Sequence, residues 1–140
     1  MYNIVAKRSQ LVEAVISATG FNTVCTFENI PNMAKNNIRV YGIQAYTATQ
    51  LSISPSGKTV LPATALPSLT VTLVDKNAGF PLQDWPVYDL VASLNGGFKT
   101  PLKDFEMNLT KCFIKTVNTT GLIVGQVMLF NLYYYIIGEK

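Results

Sequence analysis

Gln126-Val-Met-Leu-Phe-Asn-Leu-Tyr-Tyr-Tyr-Ile136 is the most apolar stretch of the 140-residue chain, and its reading decides the fold. Aromatic and β-branched side chains suit a pleated surface, so the stretch reads as a strand. Met128, Phe130, Leu132, Tyr134 and Ile136 then share one face, and Val127, Leu129, Asn131, Tyr133 and Tyr135 share the other. In a two-layer β protein one face of such a strand should meet water. Here both faces are apolar or aromatic, so something must cover the second. Two covers are open, an N-terminal arm of the same chain or a neighbouring subunit. Tyrosine favours the neighbour, because its large apolar ring carries a hydroxyl that finds a partner in an interface.

Working back along the chain, the same period of two recurs. Thr23, Cys25 and Phe27 alternate with Val24, Thr26 and Glu28. After the turn-rich Asn29 to Asn37, Ile38 to Thr47 reads as a long strand. Ser54-Pro-Ser-Gly57 is a turn by composition, and Lys58 to Leu61 follows it as a short strand. Leu69, Val71 and Leu73 alternate with Thr70 and Thr72, and Asn77-Ala-Gly79 turns into Phe80 to Leu82. Pro86 to Leu94 reads as a short helix, with Asp84 placed to cap it and Asn95-Gly-Gly97 to stop it. Phe98 to Asp104 reads as loop, Phe105 to Leu109 as a short strand, and Lys111 to Val117 alternates again.

The first twenty residues read differently. Ser9 could cap a helix in which Leu11, Val12, Val15 and Ile16 share a face, ending near Gly20. The expectation is therefore a mainly all-β protein. It is an antiparallel β-sandwich or jelly-roll-like fold of seven to eight strands, with a short N-terminal helical arm and one short helix near 86–94. Residues 1–20 form the arm and residues 21–140 a single domain.

Composition narrows the function. The chain has no histidine and only two cysteines, which removes histidine-based triads and histidine metal ligands. Cys25 and Cys112 read as buried free thiols on strands, and neither a metal site nor a cofactor is expected. Eleven basic residues against eight acidic ones give a net charge of +3, and the densest cationic cluster is Lys7-Arg8. Nucleic-acid binding needs a stronger basic patch than that. The apolar run from Val127 to Ile137, broken by Asn131, is too short to span a bilayer. In the first twenty residues, Glu13 interrupts an apolar stretch already short for a secretory signal. Fourteen threonines, eleven asparagines, seven serines and five glutamines stand against only nineteen charged residues. Hydroxyls and amides cost far less to desolvate than charges, so this surface suits a chain that works inside an assembly.

Three local patterns invite chemistry. Ser56-Gly57-Lys58-Thr59 resembles the end of a phosphate loop, but Ser52 stands where the first glycine belongs and Pro62 opposes a following helix. A hairpin turn is the simpler reading. Asp104 and Glu106 lie two apart, and paired carboxylates serve glycoside hydrolysis, but a solvated strand edge is the simpler reading. Trp85 and Tyr88, beside Asp84 and Asp89, could stack on a sugar, or serve as core aromatics behind a helix cap. No nucleophile, base or metal set emerges, so an enzyme is not expected.

The order of features resembles that of small β-sandwich virion proteins of bacteriophages, those associated with the capsid as vertex or head-decoration subunits. The likeness rests on Ile38-Arg-Val-Tyr-Gly-Ile43, Ser54-Pro-Ser-Gly-Lys-Thr59, Pro86-Val-Tyr-Asp-Leu90 with Asn95-Gly-Gly97, Met107-Asn-Leu-Thr-Lys-Cys-Phe113 and Phe130-Asn-Leu-Tyr-Tyr134. It implies a structural role without catalysis, made in the host cytoplasm and ending in the virion. The partners it implies are copies of the chain itself or a major capsid protein. On that reading Lys7, Arg8, Leu11 and Val15 of the arm tie to the shell or a neighbour, and Tyr133, Tyr134 and Tyr135 lie at an interface. Removing residues 1–19 should then leave a folded domain that no longer joins the particle. The alternative is a carbohydrate- or receptor-binding β-sandwich that uses Trp85 and Tyr88.

Overall fold

The computed structural model describes residues 3–18, 20, 22–28, 38–91 and 100–138. They form eight strands: β1 Asn3–Val15, β2 Thr23–Glu28, β3 Ile38–Tyr46, β4 Leu69–Leu73, β5 Leu82–Pro86, β6 Thr100–Phe105, β7 Phe113–Thr116 and β8 Val127–Gly138. All pair antiparallel in one sheet of order β5-β4-β7-β2-β1-β8-β3-β6. The mainly β expectation and the eight strands hold.

The sheet is curled into a half-barrel. Laid flat, seven strand spacings would separate β5 from β6 by about 33 Å. Yet one continuous apolar cluster takes residues from every strand, from Leu82 on β5 through Phe27, Val12 and Phe130 to Phe105 on β6. Phe27 meets Phe130 edge to face, with ring centroids 5.7 Å apart. The chain just past β4 also pairs with the chain just past β6, through an Asp75–Met107 bridge. Lys76 donates its N–H to the Glu106 carbonyl at 2.9 Å, and Asn108 donates to that of Val74 at 2.8 Å. At the other end the 3₁₀ turn Val87–Leu90 buries Val87 and Leu90 in the core, and Val91 bridges to Ala45.

The N-terminal helix is corrected. Residues 3–15 are a strand at the centre of the sheet, paired along its length with β8 from Asn3–Gly138 to Val15–Val127. β1 is covered on both faces where its apolar residues lie. Val12 and Ala14 face the main core, while Val15 packs with Val60, Val127 and Leu129 on the opposite side. A strand buried on both faces loses its alternation, and Leu11, Val12, Val15 and Ile16 then mimic helical spacing.

The second helix is corrected as well. Among the described residues of that span Val87–Leu90 is helical, as a 3₁₀ turn, residues 92–94 lie outside the described residues, and Asp84 does not cap the turn but sits within β5 at φ +47°. There the Asp84 N–H donates to Thr72 Oγ1 at 3.0 Å and its carboxylate pairs with Lys115 at 3.1 Å. The expected stop Asn95-Gly-Gly97 lies outside the described residues. Phe98 to Asp104, read as loop, contains most of β6, because pairing with β3 imposes extended backbone on a segment with little alternation of its own. The strand expected at Phe105 to Leu109 ends instead at Phe105. Phe80 to Leu82 and Lys58 to Leu61 are displaced or reduced to single bridges.

Candidate functional site

Register places the outer face. β8 pairs with β1 on one side and β3 on the other, and the core takes Met128, Phe130, Leu132 and Tyr134. Val127, Leu129, Asn131, Tyr133 and Tyr135 therefore point outward, with Lys7, Ser9 and Leu11 beside them on β1. On β3 one extra residue at Tyr41 breaks the register between Val40 and Gly42. This bulge keeps Ile38, Val40, Ile43 and Ala45 all in the core, and sets Arg39, Tyr41, Gln44 and Tyr46 on the outer face.

Part of the second face of β8 is covered from within the chain. Val60, from the connection between β3 and β4, closes over Val15, Val127 and Leu129, with Tyr46 against them. For this half the cover includes Val60, an element that the sequence reading did not name as a cover, beside Val15 of the expected arm. The other half carries a hydrogen-bonded amide and phenol group. Tyr133 donates its hydroxyl to Gln44 Oε1 at 2.7 Å, Tyr46 donates to the same oxygen at 3.3 Å, and Asn131 Nδ2 donates to Tyr133 and Tyr46 at 3.3 and 3.4 Å. Further along, Tyr41 stacks on Tyr135 at 4.2 Å, tilts toward Tyr133 at 6.4 Å, and Lys7 Nζ lies 5.6 Å from the Tyr135 ring centre.

Arg39 continues the row to the sheet edge. Its Nε meets Asp104 Oδ2 at 2.7 Å and its Nη1 lies 3.7 Å from Glu106, which also pairs with Lys76 at 3.6 Å. These groups line a groove of about 640 Å³ with Phe80 and Lys103. The Asp104 and Glu106 pair singled out from sequence is thus met by cations on both members. Exposed pairs of this kind add little stability, and here they leave the groove close to neutral.

The chemistry of the outer face is that of contact. Burial, with the neighbouring Tyr135 phenol adding to it, holds the Tyr41 hydroxyl above the ordinary phenol value. Burial does the same at Tyr133, with Tyr46 next in effect. Both are protonated hydrogen-bonding groups at neutral pH. Among the described residues no three cysteine or acidic side chains converge as metal ligands do. Ser56-Gly57-Lys58-Thr59 forms a turn in which Gly57 and Lys58 donate to the Ser54 carbonyl and hydroxyl, and Val60 then bridges to Val127.

The residues proposed from sequence divide between faces. Lys7, Leu11, Tyr133 and Tyr135 share the outer face, and Val15 is on that side but buried under Val60. Arg8 is exposed opposite Tyr134, and Tyr134 itself is buried in the core. Trp85 and Tyr88 are 44% and 48% exposed, so neither is a core aromatic. Tyr41, Gln44, Tyr46 and Asn131 were not singled out. The Tyr41-Gly42 pair carried a signal, since glycine inside a strand pattern marks a bulge. No family model matches the chain, and neither does any curated protein or solved structure.

Proposed function

We propose that the chain is a non-catalytic structural subunit of a bacteriophage virion, joined to the capsid through copies of itself or a major capsid protein. The observation that carries the reading is the outer face of β1, β8 and β3, where Tyr41, Tyr133 and Tyr135 stand over amides on a rigid sheet. Aromatic side chains with paired polar groups, cations at the rim and no charge at the centre are what the middle of a protein interface is made of. In this reading the halves β5-β4-β7-β2 and β1-β8-β3-β6 correspond to the two layers of a sandwich or jelly roll. The protein would be made in the host cytoplasm and end in the particle.

The test is to purify particles from an infected host by density gradient and quantify the chain in them. The chain should be present at a fixed ratio to the major capsid protein. Tyr135→Glu should lower its occupancy at least about tenfold, because a carboxylate desolvated without a partner is costly. The melting temperature of the variant, measured alongside, separates lost contact from lost fold. Particles without the chain overturn the proposal. The exposed Trp85 and Tyr88 favour a second reading, a glycan-binding module. That reading requires hits on a glycan array that disappear in Trp85→Ala.

A further inference from the structure

Two phenol rings on the outer face are placed to react with each other. β8 runs between β1 and β3, and its Tyr135 pairs with Lys7 on one side and Arg39 on the other. On β3 the extra residue of the bulge between Val40 and Gly42 is Tyr41, whose ring lies over this stretch of β8. The Tyr41 and Tyr135 rings stack with centroids 4.2 Å apart and planes 15° from parallel. Tyr41 and Tyr133, by contrast, stand 6.4 Å apart at 57°. Both rings of the stacked pair are half-buried, so a small reagent reaches them while paired strands hold them in place.

A phenol that loses one electron and its hydroxyl proton becomes a phenoxyl radical, with spin density on the ring carbons ortho to the oxygen. That density occupies π lobes above and below the ring plane. Two such radicals therefore bond face to face, and tilted rings do not align the lobes. Near-parallel rings already in contact need little further motion to reach the bonding geometry, which is the condition for a fast intramolecular step. The stacked pair meets that condition and the tilted pair does not.

We propose that Tyr41 and Tyr135 form an oxidative cross-linking site, at which a peroxide-driven coupling joins them as dityrosine and ties β3 to β8. Each phenol gives up one electron and one proton, and one ortho carbon of each ring supplies one electron to the new C–C bond. The hydrogen left on each joined carbon departs as a proton while the ring oxygen takes one up, which restores both phenols. In sum two ring C–H bonds and the peroxide O–O bond break and one C–C bond forms. The tyrosines are oxidised, and their two electrons and two protons leave with hydrogen peroxide as two waters. The link falls where the bulge interrupts the β3–β8 register. It also closes the long stretch between residues 41 and 135 into a loop, which restricts the unfolded chain as a disulfide does.

The proposal does not rest on the virion reading, because it concerns two rings of a single chain. The experiment illuminates tris(bipyridine)ruthenium(II) and persulfate in a dilute solution of the full chain. Persulfate supplies the peroxide bond and leaves as two sulfates, with the two protons going to water. A product with dityrosine fluorescence is expected that keeps the 15.4 kDa mobility of one chain and is lighter by two hydrogens. Mass spectrometry of a tryptic digest should find the two peptides joined at Tyr41 and Tyr135. Tyr41→Phe and Tyr135→Phe should each lower the intrachain yield at least about tenfold, and Tyr133→Phe should leave it within about twofold. Unfolding in urea before illumination should lower the yield as far, because the stack sets the encounter; this arm needs no variant and stands if one fails to fold. The linked chain should melt above the unlinked one. Absence of an intrachain product, a link through Tyr133 or Tyr46 in its place, or an equal yield in urea overturns the proposal. A linked chain that melts no higher overturns its role as a tie between the strands.

Discussion

Cys112 shows how burial changes one residue's chemistry. It lies just before β7 with its Sγ accepting the Val74 N–H at 3.2 Å and facing the Asn108 carbonyl at 3.3 Å. Burial pushes its thiol up to about 11, partly offset by the Val74 hydrogen bond. The thiolate is the reactive form, so at pH 8 this sulfur is both protonated and out of reach. Cys25 is equally buried, on β2. Titration with a disulfide reagent should find no reacting thiols in the native protein and two in urea; rapid native reaction would contradict the packing described. Two buried thiols were readable from the sequence. The identity of what surrounds Cys112 was not, since Val74 is 38 residues away.

Among the elements, β1 has the largest consequence. It joins β8 over twelve register pairs and carries Val12 and Ala14 into the core. Without it the edge of β8 and one flank of β2 lose their partner, and Phe130 loses the apolar wall beside it. Removing residues 1–15 should therefore abolish cooperative unfolding followed by circular dichroism, in place of the folded remnant that an N-terminal arm would leave. A truncated chain with a sharp melting transition would show β1 to be dispensable. β5 and β6 form the two sheet edges, and both are poor templates for an added strand. Pro81 and Pro86 bracket β5 and Asp84 kinks it at φ +47°, while β6 carries Pro101 and Lys103.

For the whole molecule, the raised phenols and thiol act together on stability. Tyr41, Tyr133 and Cys112 all hold protons in the native state that the unfolded chain releases at lower pH. The native state then binds more protons than the unfolded one, and stability falls as pH rises through that window. The melting temperature should be flat to about pH 8.5, decline first as the Cys112 thiol of the unfolded chain ionises, then more steeply above about pH 10 as the phenols of Tyr41 and Tyr133 do. Tyr41→Phe/Tyr133→Phe should flatten the steeper part of the decline while keeping the earlier one. An unchanged slope above pH 10 would mean that these two phenols titrate alike in both states.

The sequence by itself determined what depends on neighbours in the chain. Alternation marked β8, β3 and β4, turn residues marked Ser54 to Gly57 and Asn77 to Gly79, and composition marked a poorly charged, histidine-free surface. It also showed that β8 has two apolar faces needing cover. Only the tertiary structure decided what covers them. β1 took up the edge of β8, Val60 closed over Leu129, and a bulge at Tyr41 gathered the tyrosines into one patch. Pairing partner, bulge position and sheet curl depend on contacts between residues far apart in sequence, and a local period carries no record of them. The same limit hid β1, because cover on both faces erased the alternation by which a strand is recognised.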